Sequence, residues 1–98
     1  GLMDRELSDF SSGMLFVFRE VKPRDFWMHN TSTSLDIIFV GEDSCVLDIA
    51  KQTEPMSDRI YSSGGPVKYV VEVRAGFTER YEIKEGTKIR WKRLSASE

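Results

Sequence analysis

The stretch Leu35-Asp36-Ile37-Ile38-Phe39-Val40 decides the fold of this 98-residue chain, together with the stretch Phe26-Trp27-Met28-His29-Asn30-Thr31 that precedes it. Both stretches are apolar enough to form strands, yet both carry amide, hydroxyl, imidazole or carboxylate groups. Such groups need hydrogen-bond partners when they are buried. The polar positions in these two stretches are therefore the first candidates for a structural network or a binding site.

Strand alternation predicts which of these side chains share a face. A strand over 26–31 places two sets of side chains on opposite faces: Phe26, Met28 and Asn30 on one, and Trp27, His29 and Thr31 on the other. In the strand 35–40, Leu35, Ile37 and Phe39 point inward, and Asp36 lies on the opposite face beside Ile38 and Val40.

The same criteria predict further elements on either side. They are a helix over 2–10, strands over 14–19, 45–50, 67–74 and 87–93, a hairpin turn over 41–44, and a single helical turn over 77–82. Both faces of the strand 14–19 are apolar, so it is expected to be buried on both sides. The polar segment 51–65 is predicted to be irregular, and such long loops are often functional or mobile.

Six short strands with one N-terminal helix predict a mainly β (α+β) domain, built on a small antiparallel-rich sheet that is curled or barrel-like. Residues 1–94 are expected to form a single domain, and 95–98 a disordered tail.

Composition excludes several classes of function. The chain is 40% hydrophobic and 31% charged, with a net charge of −2, which gives no electrostatic footprint for nucleic acid. Its apolar runs are far shorter than the ~20 residues that span a bilayer, so no membrane insertion is expected. No metal-ligand spacing and no phosphate-binding glycine loop occurs, so we expect no metal site and no cofactor.

Several motifs in a fixed order carry a family resemblance. They are Gly1-Leu2-Met3-Asp4-Arg5-Glu6-Leu7, Gly13-Met14-Leu15-Phe16, the two stretches 26–31 and 35–39, Pro55, the strand 67–73, and Ala75-Gly76-Phe77. In these the chain resembles the bacterial and archaeal domain-of-unknown-function 192 family, which has no settled activity. This chain has His29 where the family usually has lysine.

The resemblance also implies properties that the residues alone do not. Members generally carry a strand before the Gly-Leu-Met segment, and often an export signal, which implies a periplasmic or exported protein although no signal is visible in this chain. If that strand is missing, one sheet edge is open and invites pairing with a second copy, so a homodimer is expected as one alternative.

Five polar residues at motif positions are the main candidates for a site: Arg5, Asn30, Thr31, Asp36 and Glu72. One interpretation is a structural network in which Arg5 pairs with a carboxylate and fixes the helix onto the sheet. The other is a polar ligand pocket with Trp27 as an apolar wall and His29 nearby.

Three hypotheses for function follow. The leading one is a non-catalytic binding module of the bacterial envelope that takes a small polar molecule or a peptide, using Trp27, His29, Asn30, Asp36 and the loop 51–65. The second is a small hydrolase or isomerase with a carboxylate of raised pKa, Asp36 or Glu72, within about 3 Å of His29. The third is an assembly protein that pairs through an open sheet edge.

Overall fold

Strands β3 (Leu35–Val40) and β6 (Val67–Arg74) lie at the centre of the fold. The structure is a computed structural model, and it describes residues 13–92. The order of the main sheet is β1-β6-β3-β4, with β1 spanning Met14–Lys22 and β4 spanning Val46–Ala50. All three neighbouring pairs are antiparallel. β3 and β6 are thus flanked on both edges, which suits the nearly continuous apolar sequence of β3 and the five apolar residues of β6.

The main sheet is apolar on both faces and separates two clusters of buried side chains. The first face carries Ile38, Val40, Val46, Val71, Val73 and Ile89, against which Trp91 packs. The second face carries Met28, Ile37, Phe39, Val67 and Val70. Because successive residues of a strand point to opposite faces, β3 and β6 supply side chains to both clusters.

A two-stranded ribbon covers the second face. It consists of β2 (Asp25–Trp27) and β5 (Ile60–Ser62), which pair antiparallel with Phe26 opposite Tyr61. Phe26 and Tyr61 pack against the second cluster, so the alternate residues, Trp27 and Ile60, lie on the outer side of the ribbon. They are 54% and 52% exposed.

A short helix, α1 (Phe77–Arg80), follows β6 directly. Gly76 precedes it with a φ of 94°, a left-handed conformation that glycine adopts without a steric penalty. The end of β3 returns to β4 through a tight turn in which the N–H of Gly41 donates to the carbonyl of Cys45. Both features lie where the sequence predicts them.

The mainly β class is confirmed, as are the predicted strands 35–40 and 67–74. In the described residues the strands form two separate sheets and not a closed barrel, so the barrel-like alternative is not confirmed. The helix predicted over 2–10 and the tail 95–98 lie outside the described residues.

Four details of the sequence-based prediction are wrong. The strand predicted over 26–31 ends at Trp27, and the segment 51–65 contains β5. The strand predicted over 87–93 is reduced, in its described part, to a single bridge between Lys88 and Cys45. Within the part of the chain that the structure describes, β1 is an edge strand, and it is not buried on both sides, since Met14 and Val17 are 54% and 57% exposed.

Within 13–92 no helix has the length and apolar character needed to cross a membrane.

Candidate functional site

Trp27, the last residue of β2, and His29, in the turn that follows it, lie side by side, although the predicted strand does not extend to His29. Their rings stack with centroids 4.8 Å apart and planes inclined by 19°. The Nδ1 atom of His29 lies 2.7 Å from Oδ1 of Asp58, and the side chains of these two residues are 50% and 74% exposed. Sequence reasoning missed Asp58, for which the only signal was its place in the polar segment 51–65.

Asp36 is 1% exposed, and its carboxylate accepts four hydrogen bonds. Its Oδ1 accepts from the N–H of Gln52 at 2.9 Å. Its Oδ2 accepts from the N–H of Gly76 at 3.2 Å, and from the N–H and hydroxyl of Thr78 at 3.0 and 2.7 Å. The carboxylate thus caps the start of α1 and the segment after β4, so it serves as an anchor inside the fold.

The segment after β4 is held to the stretch 31–35 by further hydrogen bonds. The N–H of Thr53 donates to the carbonyl of Leu35 at 2.9 Å, and the N–H of Leu35 donates to Oγ1 of Thr53 at 3.1 Å. The hydroxyl of Ser34 donates to the carbonyl of Thr53 at 2.7 Å, and the N–H of Met56 donates to the carbonyl of Thr31 at 2.8 Å. These bonds give the segment a defined conformation, although it is mostly irregular.

Two residues of this segment have left-handed backbones that non-glycine residues seldom adopt. Gln52 has a φ of 50° and Met56 a φ of 57°. Each donates its N–H to an acceptor in the stretch 31–36, to Asp36 and to Thr31 respectively. Such conformations persist only where the surrounding structure enforces them, and they are found preferentially at binding sites.

The segment between β4 and β5, together with its neighbouring strands, borders a hollow of about 350 Å³ that is open to solvent. Its lining residues come from β3, β4, β5 and the segment between β4 and β5: Phe39, Asp48, Ala50, Lys51, Gln52, Glu54, Arg59, Ile60, Tyr61 and Ser62. The volume is at the lower end of the range for small-molecule sites, about 300–1,000 Å³. The hollow combines apolar and aromatic groups with charges of both signs.

Glu72 lies on the other face of the main sheet from Asp36. It is opposite Ile37 of the second cluster, whereas Asp36 is opposite Val73 of the first, and directly opposed residues share a face. Burial raises the pKa of Glu72 above its ordinary value of 4.5.

The remaining candidates do not join a single cluster. Asn30 is exposed in the turn that follows β2. The backbone carbonyl of Thr31 accepts a hydrogen bond from the N–H of Met56, in the segment between β4 and β5. Arg5 lies outside the described residues. The expectation that Asn30, Thr31, Asp36 and Glu72 converge is therefore wrong. Asn30, Thr31 and Asp36 are close in sequence, Glu72 is not, and the four do not form one site.

The geometry expected for a hydrolase or isomerase is also not found in the described residues. The carboxylate at hydrogen-bond distance from His29 is the exposed Asp58. Asp36 lies on the face of the main sheet that the ribbon does not cover, and Glu72, on the covered face, forms no ion pair with His29 in the described residues. An imidazole exposed at the surface lacks the water-excluding cleft that a general base normally occupies.

Among residues 13–92, no group of three histidine, cysteine or acidic side chains is placed to hold a metal ion. The hollow's own groups are backbone, hydroxyl, carboxylate, ammonium and guanidinium. They can donate to and accept from a polar molecule, and they offer ion pairs of either sign.

Fold and site together define a small antiparallel β domain in which a two-stranded ribbon and an anchored loop border a mixed-polarity hollow. Residues 1–91 match the domain-of-unknown-function 192 family (DUF192, Uncharacterized ACR), and the chain belongs to that family. No protein with a curated description matches the chain.

Two solved structures are similar over most of the chain. A protein of Sinorhizobium meliloti 1021, described only provisionally as a transcription regulator, is 37% identical with a TM-score of 0.78, over 81% of this chain and 61% of that one. A protein of unknown function from Novosphingobium aromaticivorans DSM 12444 is 39% identical with a TM-score of 0.78, over 82% of this chain and 57% of that one. The matched part thus spans about three fifths of each relative.

Proposed function

We propose that this protein is a non-catalytic binding module, and that the hollow between β4 and β5 takes a small polar ligand. The observation that carries the proposal is the hollow itself, about 350 Å³ in volume and bordered by a loop held in place by hydrogen bonds. A site whose conformation is fixed before binding loses little entropy when the ligand enters. The family's function is unknown, so the ligand is argued from the site alone.

The lining supports binding of a molecule with both polar and apolar parts. Phe39, Ala50 and the ring of Tyr61 provide apolar contact, while Gln52 and Ser62 provide neutral hydrogen-bonding groups. Six of the ten lining residues are polar or charged, so the hollow suits a polar ligand with a smaller apolar part.

Trp27 does not line the hollow, but its strand partner does. It is directly opposite Ile60, which lines the hollow, and opposed side chains on one face lie about 5 Å apart at Cβ. The indole is therefore close enough to the hollow to report on binding. Asp36 is not part of the proposed contact surface, because its carboxylate is buried and occupied.

The test uses a protein with a single tryptophan. Trp91 lies on the far face of the main sheet, packed against Tyr69, so Trp91→Phe leaves Trp27 as the only indole reporter. Titration with a defined panel of amino acids, monosaccharides, dicarboxylates and polyamines is followed by fluorescence and by the backbone amide signals of β4 and β5. We expect at least one class to change the Trp27 emission and the amide signals around the hollow.

A matched pair of variants locates the binding. Ile60→Glu places a charge at the hollow, and Leu47→Glu places one on an exposed aliphatic residue of β4 outside it. We expect Ile60→Glu to weaken binding at least about tenfold, a change of about 1.4 kcal/mol, and Leu47→Glu to leave it unchanged. Unchanged signals across the whole panel, or equal binding by both variants, contradict the proposal.

Regulation of transcription through direct contact with DNA is not proposed for this chain. A net charge of −2 supplies none of the phosphate neutralisation on which DNA affinity depends. Pairing with a second copy through a sheet edge remains a prediction, and the molecular mass in solution at high concentration tests it.

A further inference from the structure

Tyr61 positions two residues of opposite charge at the hollow. The guanidinium carbon of Arg59 lies 5.0 Å from the centre of the Tyr61 ring, within the range of a cation–π contact. The Tyr61 hydroxyl accepts a hydrogen bond from the N–H of Glu54 at 3.0 Å. Tyr61 is itself half-buried and packs against the second cluster. Its contacts therefore tie the Arg59 guanidinium and the backbone of Glu54 to the core of the fold.

The charges of Arg59 and Glu54 are not neutralised by one another. The ion pairs within residues 13–92 join Lys22 to Glu20 and His29 to Asp58. Arg59 and Glu54 therefore border the same hollow without an ion-pair partner in the described part of the chain. Each keeps donors or acceptors available for a ligand.

Two further charged residues keep the hollow balanced. Lys51 and Asp48 also line the hollow. The same two residues line a second, smaller hollow, together with Lys84 and Glu85. The lining thus has two cations and two anions. A ligand with net charge would meet a repulsive group as well as an attractive one, whereas a ligand with separated charges of both signs meets attraction at each end.

We propose that the hollow recognises a zwitterion, namely a free amino acid or a short peptide with both termini unblocked. Its carboxylate is bound at Arg59, since a guanidinium offers two parallel donors to a carboxylate. Its ammonium is bound at Glu54, and its side chain contacts the apolar wall at Ile60 and Ala50. This inference names the ligand class of the proposed binding module and rests on that function.

The experiment compares Ala-Ala with two blocked forms, each of which lacks one of its charges, and with inorganic phosphate. Ala-Ala carries both charges, N-acetyl-Ala-Ala lacks the ammonium, Ala-Ala amide lacks the carboxylate, and inorganic phosphate offers an anion alone. Dissociation constants are measured from the backbone amide signals of β4 and β5. We expect Ala-Ala to bind, and each blocked dipeptide to bind about tenfold more weakly, because each loses one charge-assisted contact.

Variants assign each charge to a residue. In Arg59→Gln the preference for Ala-Ala over its amide disappears, while the preference over the N-acetyl form remains. In Glu54→Gln the opposite holds. Lys84→Gln and Glu85→Gln, which line only the second hollow, retain both preferences. Thermal unfolding of each variant verifies that the fold is unchanged.

The outcomes separate this inference from the proposed function. Equal binding of Ala-Ala and both blocked forms, or tighter binding of phosphate than of Ala-Ala, overturns zwitterion recognition and leaves a binding module. Loss of both preferences in one variant contradicts the assignment of the termini. If no dipeptide and no amino acid shifts the amides around the hollow but a monosaccharide, dicarboxylate or polyamine does, only the ligand class is wrong. If nothing binds, both proposals fail.

Discussion

At the scale of single residues, Asp36 stabilises the fold in spite of being a buried carboxylate. Burying an ionised group is costly unless it is fully hydrogen-bonded, and Asp36 has four donors. We expect Asp36→Asn to lower the free energy of unfolding by about 3 kcal/mol. The amide NH₂ replaces one accepting oxygen with a donor, so the buried groups that donated to that oxygen lose their acceptor. Urea denaturation measures the loss. The exposed Asp58→Asn, which weakens one surface pair, should cost less than about 1 kcal/mol. Equal losses would contradict the anchoring role.

Glu72 makes the stability of the folded chain depend on pH. Burial raises the pKa of its carboxyl above the ordinary 4.5, so the folded chain binds this proton more tightly than the unfolded chain. The contribution of Glu72 to stability is therefore complete below the unfolded pKa and is lost as pH rises through the folded pKa. We expect Glu72→Gln, which cannot ionise, to gain thermal stability over the wild type progressively from acid to neutral pH.

Melting temperatures measured across that pH range test this expectation, and the exposed Glu42→Gln controls for the loss of one negative charge. A Glu72→Gln protein that is less stable than the wild type at neutral pH would contradict it. That result would favour the Arg–carboxylate pair that the sequence suggests between Arg5 and an acidic residue.

The partly successful prediction of the site has a physical reason at this scale. Strand alternation is a local property, and it predicted that Trp27 and His29 share a face. Their rings do stack, but His29 reaches this position from the turn after β2 and not from the strand. The partners of Asp36 lie 16, 40 and 42 residues away in sequence, and no spacing rule connects residues so far apart. Which polar groups meet therefore depended on the packing of elements that sequence reasoning did not establish.

At the scale of elements, the ribbon alternates between buried and exposed residues just where β2 ends. Met28 is 1% exposed in the second cluster, whereas its neighbour Trp27 is 54% exposed. We expect Met28→Ala to cost about 2–4 kcal/mol of unfolding free energy, as large-to-small changes in a core do. Trp27→Ala should cost less, about 1–2 kcal/mol, since more than half of Trp27 stays in water and its removal leaves no closed cavity. Chemical denaturation compares the two, and a larger loss for Trp27→Ala would contradict this arrangement.

Short strands were where prediction from sequence failed. β3 has six residues, of which five are apolar, and β6 has eight residues in which apolar and charged side chains largely alternate, so both patterns are clear. β5 has only three residues, and its strand character comes from pairing with β2. Conversely, Ile89 and Trp91 alternate with charged residues as in a strand and do pack on the first cluster. Alternation thus indicates which side chains are buried, but a strand also requires a backbone partner.

At the scale of the whole molecule, the hollow depends on the stacking of two sheets. Its walls come from β3 and β4 of the main sheet and β5 of the ribbon. The sequence predicted the mainly β class because turns and short apolar runs are local signals. It did not predict two layers, because stacking depends on contacts between residues far apart along the chain. A ribbon of two three-residue strands gains its stability from the sheet beneath it.

Backbone amide exchange should reveal this hierarchy across the molecule. β3 and β6 are flanked on both edges and buried on both faces, so their amides can exchange only through opening of the main sheet. The ribbon can separate from the sheet without disrupting those strands. We expect peptides covering 35–40 and 67–74 to exchange most slowly in mass-spectrometric measurements, and peptides covering 25–27 and 60–62 to exchange faster. A ligand in the hollow should then slow exchange in 60–62 more than in 67–74, because it links β5 to β4. Equal protection of ribbon and central strands in the free protein would mean that the two layers open as one unit, and that the hollow does not depend on a separable ribbon.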